Sequence, residues 1–359
     1  ENMLAVRASS LAASAGRTVV SGTAGLTVYD RGVVKKPLAD ARLVQLSGPY
    51  LSRIGYNVAA DRGQMEISTV NGDAVTNILG TSGMLFGSEY ISWTSYTSPV
   101  TVTIDDLTGA APQRTGQLAG DTSLCGSGQA WGDRLYMTCS NQIRMYSLTD
   151  GAVLASLDGA AGSYLSLVAA GDGYAVVSSA SNAYAVWDVA TGGLTPLAGC
   201  TYPIVTDGVG HIACATSTEL VWRDFSVLSK SAPRLLGTVA ATSVSFAATQ
   251  SWTLEQDTTK ALKAGSVTIA NASGTVVRSL AVPASADGSV RVAWDGLDAK
   301  GTPVPVGTYT YTLVASGADG SGSVVSITGT GTASGTVIVT ASACQGRADV
   351  VQADRRCHR

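Results

Sequence analysis

Ala185-Val186-Trp187-Asp188-Val189-Ala190-Thr191-Gly192-Gly193 is a short alternating run with a ring at its centre, closed by a turn. Successive side chains of a strand point to opposite faces, and Thr-Gly-Gly supplies the turn that reverses the chain. The run recurs as Thr27-Val28-Tyr29-Asp30, Met65-Glu66-Ile67-Ser68, Val102-Thr103-Ile104-Asp105, Arg144-Met145-Tyr146-Ser147 and Leu220-Val221-Trp222-Arg223. Its central residues 29, 67, 104, 146, 187 and 222 lie 38, 37, 42, 41 and 35 residues apart. A fixed spacing of this length marks a structural unit that is repeated and stacked.

Working outward, most copies are followed by a turn (Asn71-Gly72-Asp73, Thr149-Asp150-Gly151) and a strand ending in Leu79, Leu118, Leu157 or Leu197. Stretches such as Gly132-Asp133-Arg134-Leu135-Tyr136-Met137 precede it as an opening turn and strand. Each unit therefore supplies several short antiparallel strands that cannot bury both faces alone, which predicts β-propeller blades over residues 1–235. The Trp187 copy resembles the third-strand ending of a WD-repeat or quinoprotein-like blade, without the Gly-His signature of WD repeats. Six blades are visible. The first is expected to lack its opening strand, and a seventh blade or a closing strand is expected upstream of Glu1.

From about Leu235 the repeat gives way to seven longer candidate strands, 243–247, 251–255, 265–270, 275–280, 289–294, 307–315 and 335–339, which predict an immunoglobulin-like sandwich over 236–341. Ser229-Lys230-Ser231-Ala232-Pro233 reads as a polar connection between the two parts. The stretch Trp294-Asp295-Gly296-Leu297-Asp298-Ala299-Lys300-Gly301-Thr302-Pro303-Val304-Pro305-Val306-Gly307-Thr308-Tyr309-Thr310-Tyr311 resembles the signature of the FlgD-type immunoglobulin-like domain. That resemblance implies a structural or adhesive module of secreted bacterial proteins, and the Ala, Gly, Thr and Val bias fits an actinobacterial source. Residues 342–359 read as a disordered tail, with a loop closed by Cys344 and Cys357 or a basic wall-binding tail as alternatives.

Composition narrows the function classes. Hydrophobic residues make up 45% of 359, charged ones 14%, and the net charge is −3, so no basic field exists to hold nucleic acid. No run approaches the roughly eighteen apolar residues that would span a bilayer. Cys125 with Cys139, and Cys200 with Cys214, each enclose thirteen residues that contain turn sequence, the spacing of partners across a hairpin. Disulfides are the expectation. Buried free thiols are the alternative, and a zinc site lacks any pair two to four residues apart. Disulfides imply an oxidising compartment, so a secreted or cell-surface protein is expected. The opening Glu1-Asn2-Met3-Leu4 itself shows no signal peptide.

Catalytic machinery is thinly supplied. His211 reads as a surface or packing residue of a strand, and no nucleophile elbow, zinc helix or phosphate loop occurs. Asp105-Asp106 would point to opposite faces of a strand, and Asp295, Asp298 and Gly301 read as a turn more than as a calcium loop. No catalytic residue, metal or cofactor is therefore expected. Trp93, Tyr96, Trp131, Tyr164, Tyr184 and Tyr202 fall at loops and strand ends, where rings can stack on a ligand or pack between blades. The expected function is a non-catalytic extracellular binding or adhesion protein with a protein or glycan ligand. The alternative is a propeller enzyme, a carbohydrate lyase or hydrolase or a quinoprotein-type dehydrogenase, with its site on the funnel axis.

Overall fold

The structure is a computed structural model that describes residues 10–341 except 16, 23–24, 31–32, 39–42, 80–82, 110, 161–163, 180–182, 217–218, 248 and 250. The expected tail, with Cys344 and Cys357, lies outside the described residues. The chain divides into two compact units, Glu1–Ser231 and Ala232–Arg359. Both are built of strands; the helix among the described residues is a single 3-10 turn, Ser226–Leu228. No helix among them is long and apolar enough to cross a membrane.

The first unit is a succession of antiparallel meanders. Sheet 1 holds β1 (Ser10–Ser14), β2 (Arg17–Gly22), β3 (Gly25–Asp30) and β4 (Val33–Leu38). Sheet 2 holds β5 (Leu43–Ser47), β6 (Tyr50–Asn57), β7 (Arg62–Thr69) and β8 (Ala74–Leu79). Sheet 3 follows with β9 (Gly83–Phe86), β10 (Glu89–Trp93), β11 (Thr101–Asp106) and β12 (Arg114–Gln117). Sheet 4 is β13 (Cys125–Trp131), β14 (Arg134–Cys139), β15 (Gln142–Ser147) and β16 (Val153–Asp158). Sheet 5 is β17 (Leu165–Gly171), β18 (Tyr174–Ser179), β19 (Tyr184–Asp188) and β20 (Leu194–Pro196). Sheet 6 has three strands, β21 (Thr201–Thr206), β22 (His211–Ala215) and β23 (Leu220–Asp224). The six recurring runs are the third strands β3, β7, β11, β15, β19 and β23. One expectation is corrected: sheet 1 has its opening strand, because β1 pairs with β2 from Ser10↔Ser21 to Ser14↔Arg17.

First strands of successive sheets are neighbours, β1 with β5, β5 with β9, β9 with β13, β13 with β17 and β17 with β21. That places the first strand of each sheet innermost, as in a propeller. Between sheets, alternation decides which neighbour a side chain meets. In sheet 5, Ala175, Val177 and Trp187 pack with Tyr136, Ile143 and Met145 of sheet 4, while Tyr174, Val176 and Val186 pack with Ile204, Ile212 and Cys214 of sheet 6. Sheet 2 does the same, Leu51 turning to sheet 1 and Tyr50, Met65 and Ile67 to sheet 3.

This alternation also shows where the repeat alignment slips by one residue. Trp187 faces back to sheet 4 and is 1% exposed, whereas Ile67 faces forward to sheet 3. Trp222 pairs with Ala213, on the face opposite Ile212 and Cys214, and is 68% exposed. A one-residue shift turns a whole strand over.

The second unit packs a three-stranded sheet, β24 (Leu235–Ala240), β26 (Trp252–Thr258) and β29 (Ser289–Trp294), against a five-stranded one. The latter runs β25 (Ser243–Ser245), β31 (Ser334–Ala341), β30 (Gly307–Val314), β27 (Gly265–Ala270) and β28 (Val276–Val282), with β25 parallel to β31. β24 adds an eighth strand to the seven expected. The core gathers Val267, Ile269, Leu254, Trp252, Trp294, Tyr309 and Tyr311 between the sheets. Trp294 is 0% exposed, and its ring meets Phe246 and Tyr309 edge-on with centroids 5.2 and 5.4 Å away. Its Nε1 donates to the Leu297 carbonyl at 3.0 Å, so the indole both fills the core and ties down the following turn. The Tyr309 hydroxyl donates to the Pro305 carbonyl at 2.8 Å, a tyrosine corner of the kind seen in immunoglobulin-like sandwiches.

Candidate functional site

In a meander, the 1–2 and 3–4 turns lie at one end of the sheet and the 2–3 turn at the other. Because the connections between consecutive sheets are short, each strand 4 and the next strand 1 meet at the 2–3 end. Trp93, Tyr96, Tyr164 and Tyr184 all sit at that end, and Trp131 sits at the opposite one. For Tyr202, only the backbone, near the start of β21, is among the described residues.

These rings divide by environment. Trp93 is half-buried; its Nε1 donates to the Gly126 carbonyl at 3.3 Å, and a Cβ at Gly128 would lie 3.1 Å from its ring. Tyr184 packs partly buried against the core shared by sheets 5 and 6. Trp131 meets Phe86 of sheet 3 edge-on at 5.1 Å and lies flush on Gly208 of sheet 6, where a Cβ would collide with it. It therefore spans from sheet 3 to sheet 6 at the 1–2 end, as packing. Tyr96 and Tyr164 remain open, 72% and 61% exposed.

Tyr96 is held by more than its own loop. Its φ is +56°, its N–H donates to the Cys125 carbonyl at 2.8 Å, and its ring rests on Gly126. The Thr122 hydroxyl donates to the Thr97 carbonyl at 2.8 Å and accepts from the Val100 N–H at 2.7 Å, joining the 94–100 turn of sheet 3 to the connection into sheet 4. Both disulfides are at this end. Cys125 and Cys139 pair directly across β13 and β14 with sulfurs 2.03 Å apart, and Cys200 and Cys214 lie 1.90 Å apart between the start of β21 and β22. Hairpin partners fourteen residues apart, as the spacing predicts, are thus brought within bonding distance.

Beside Cys139 a groove of about 410 Å³ opens, lined among others by Asp121, Ser140, Asn141, Gln142, Arg144 and Asp158. Arg144 donates from Nε to Gln142 Oε1 at 2.9 Å and from Nη1 to the Asp121 carbonyl at 2.8 Å. Gln142 in turn donates to one oxygen of Asp158. The amide and hydroxyl of Ser123 hold the Asp121 carboxyl below the usual carboxylate range, helped by Arg144, so it is ionised at neutral pH. Sequence reading had missed this groove. A signal was present, however: the first position of the recurring run is Thr27, Met65, Val102, Arg144, Ala185 and Leu220, and Arg144 is the one charge in that column.

Other candidates resolve into turn chemistry. The Asp106 carboxylate accepts from the Thr108 and Ala111 N–H groups at 2.9 and 2.8 Å, while Asp105 accepts from Gln113. Asp298 Oδ1 accepts from the Lys300 and Thr302 N–H groups at 2.8 Å each, and Asp295 from Leu297. His211 Nδ1, at the start of β22, lies 2.6 Å from Asp207 Oδ2 of the exposed turn between β21 and β22. Among the described residues no three His, Cys, Asp or Glu side chains gather as metal ligands would.

Residues 241–319 match the FlgD Ig-like domain family. Among solved structures the chain is similar to the C-terminal WD40 domain of Sif2, at 14% identity over 64% of this chain and 70% of that one, with a TM-score of 0.40. It is similar also to BamB from Moraxella catarrhalis, at 14% identity over 79% and 81% with a TM-score of 0.36. The WD40 domain of coronin from Toxoplasma gondii gives 12% identity over 62% and 69%, with a TM-score of 0.38. These are likenesses of fold. No curated protein sequence matches the chain at a significant level. The protein is all-β, of propeller class in its first unit, with a FlgD Ig-like domain at 241–319.

Proposed function

We propose that the protein is a non-catalytic binding protein acting outside the cytoplasm, secreted by or displayed on a bacterium, whose propeller recognises a protein or glycan ligand through the 2–3 end of sheets 3 to 5. The observation that carries this reading is that Tyr96 and Tyr164, both largely exposed, stand at one end of the propeller together with a polar groove and both disulfides. Exposed rings offer large contact area at small entropic cost, and neighbouring polar groups fix orientation. Two disulfides support an oxidising compartment. The FlgD Ig-like match supports a bacterial surface setting.

The enzyme alternative has less to draw on. A propeller enzyme would gather acidic or His groups on its axis, yet β1, β5, β9, β13, β17 and β21 contain no Asp, Glu, His, Lys or Arg. Trp131 also packs across from Phe86 to Gly208 at one end. The test is a glycan and surface-protein array probed with the full chain and with the Tyr96→Ala/Tyr164→Ala variant. A ligand retained unchanged by the first and lost by the second is expected. Turnover of that ligand, or equal retention by both, would refute the reading.

A further inference from the structure

We infer that the groove beside Cys139 is a saccharide subsite for a neutral, polyhydroxylated sugar, with Arg144, Asp121 and Asp158 as its hydrogen-bonding residues. The inference rests on the binding reading above and gives it a ligand class.

The groups are already oriented. Bonds to Gln142 Oε1 and the Asp121 carbonyl fix the plane of the Arg144 guanidinium, and neither uses its Nη2. Among the described residues no carboxylate stands within ion-pair distance of Arg144, so its outer edge is uncommitted. Asp158 spends one oxygen on Gln142 and keeps the other. Asn141 Nδ2 donates to the Ala160 carbonyl at 3.3 Å. The groove thus combines a planar donor on β15 with carboxylate acceptors at the end of β16 and in the connection that precedes β13.

That arrangement selects among ligands by chemistry. A sugar hydroxyl both donates and accepts, so a vicinal diol can accept from guanidinium N–H groups and donate to a carboxylate at once. Two carboxylates against one guanidinium leave the groove net negative, which opposes uronates, sialic acids and phosphates. The volume of about 410 Å³ is within the range of small-molecule sites. Leu124, largely exposed, also lines the groove and offers an apolar side chain to the C–H face of a pyranose.

The test uses the full chain, titrated with cellohexaose, maltohexaose, chitohexaose, xylohexaose and hexagalacturonate while amide shifts and binding heats are followed. At least one neutral hexaose is expected to shift the amides of residues 139–144 and 158–159, and hexagalacturonate to leave them unmoved. Arg144→Ala should weaken that binding by about tenfold or more. Asp158→Asn, which keeps the oxygen that accepts from Gln142, should weaken it severalfold without a change in melting temperature. The inference is overturned if no neutral hexaose shifts these amides, if hexagalacturonate binds as well or better, or if binding survives both variants. A silent groove, alongside an array ligand that still depends on Tyr96 and Tyr164, would remove the saccharide subsite and leave the binding reading standing.

Discussion

The two units bury their apolar surface in different ways. The sandwich has one core in which Trp252, Trp294, Tyr309 and Tyr311 touch within a single cluster drawn from both sheets. The first unit has separate small clusters, each shared by two neighbouring sheets. A defect in the sandwich is therefore felt by all of its strands, whereas one in the propeller is felt by a pair of sheets.

The largest expected effect follows from that contrast. Trp294→Ala removes a fully buried indole and its bond to Leu297, and should cost about 3–5 kcal/mol, enough to unfold a sandwich of ordinary stability. Denaturant unfolding of the full chain, followed by amide exchange, should show loss of protection across 235–341 with the propeller strands unchanged. Simultaneous loss in both units would mean that they share one cooperative core.

Next comes a local effect. Replacing Cys125 and Cys139 by Ser should cost about 3 kcal/mol in the chain-entropy account of a loop this size. The added exchange should be confined to sheets 3 to 5, and peptide mapping without reductant should recover the 125–139 and 200–214 pairs from the parent chain. Recovery of free thiols would remove the main support for secretion.

A pair of smaller substitutions sharpens the comparison. Trp294 Nε1 has its carbonyl partner, but Trp187 Nε1 is buried with none. Leaving a buried donor unpaired costs about 1–3 kcal/mol. Trp187→Phe, which removes such a donor, should accordingly destabilise less than Trp294→Phe, which strands the Leu297 carbonyl. Equal losses in melting temperature would show that ring volume alone decides.

The smallest effect concerns pH and is read in the sandwich. Burial would raise the Asp319 carboxyl, but hydrogen bonds from Ser321 and Lys260 and the Lys260 charge outweigh it and hold the group down at about 2. A depressed carboxylate contributes stability above its unfolded value and loses it as pH falls through the folded one. The sandwich should therefore lose stability between about pH 4 and pH 2, less so in Asp319→Asn. Because Asp319 is partly exposed, high salt should shrink the difference. A pH-independent difference between the two proteins would place the effect in packing.

How far each feature could be read beforehand depends on how local its cause is. Third strands were legible because alternation and a following turn are properties of adjacent residues. The face each presents was not, because it depends on which neighbouring sheet the alternate residues of a strand meet: Ile67 turns to sheet 3, whereas Trp187 turns back to sheet 4. The stretch from Trp294 to Tyr311 was legible because Trp, turn and Tyr each act within a few residues. β24 escaped notice because Leu235-Leu236-Gly237 reads as a connection, and its pairing partner β26 begins at Trp252. At the candidate site the six aromatics looked alike in sequence. Only exposure separates Trp93, half-buried over Gly128, from Tyr96, which rests on Gly126 with most of its surface open. The groove draws Asp121, Arg144 and Asp158 from three parts of sheet 4 and its approach, which no local pattern reveals.

Amide hydrogen exchange on the full chain, with and without the ligand that the array selects, tests the central claim most directly. Protection on binding should appear at residues 94–100, 118–124, 139–144, 158–160 and 164, the 2–3 end of sheets 3 to 5. Protection at the opposite turns, 107–109, 111–113, 148–152 and 189–193, or along the first strands on the axis, would contradict the account.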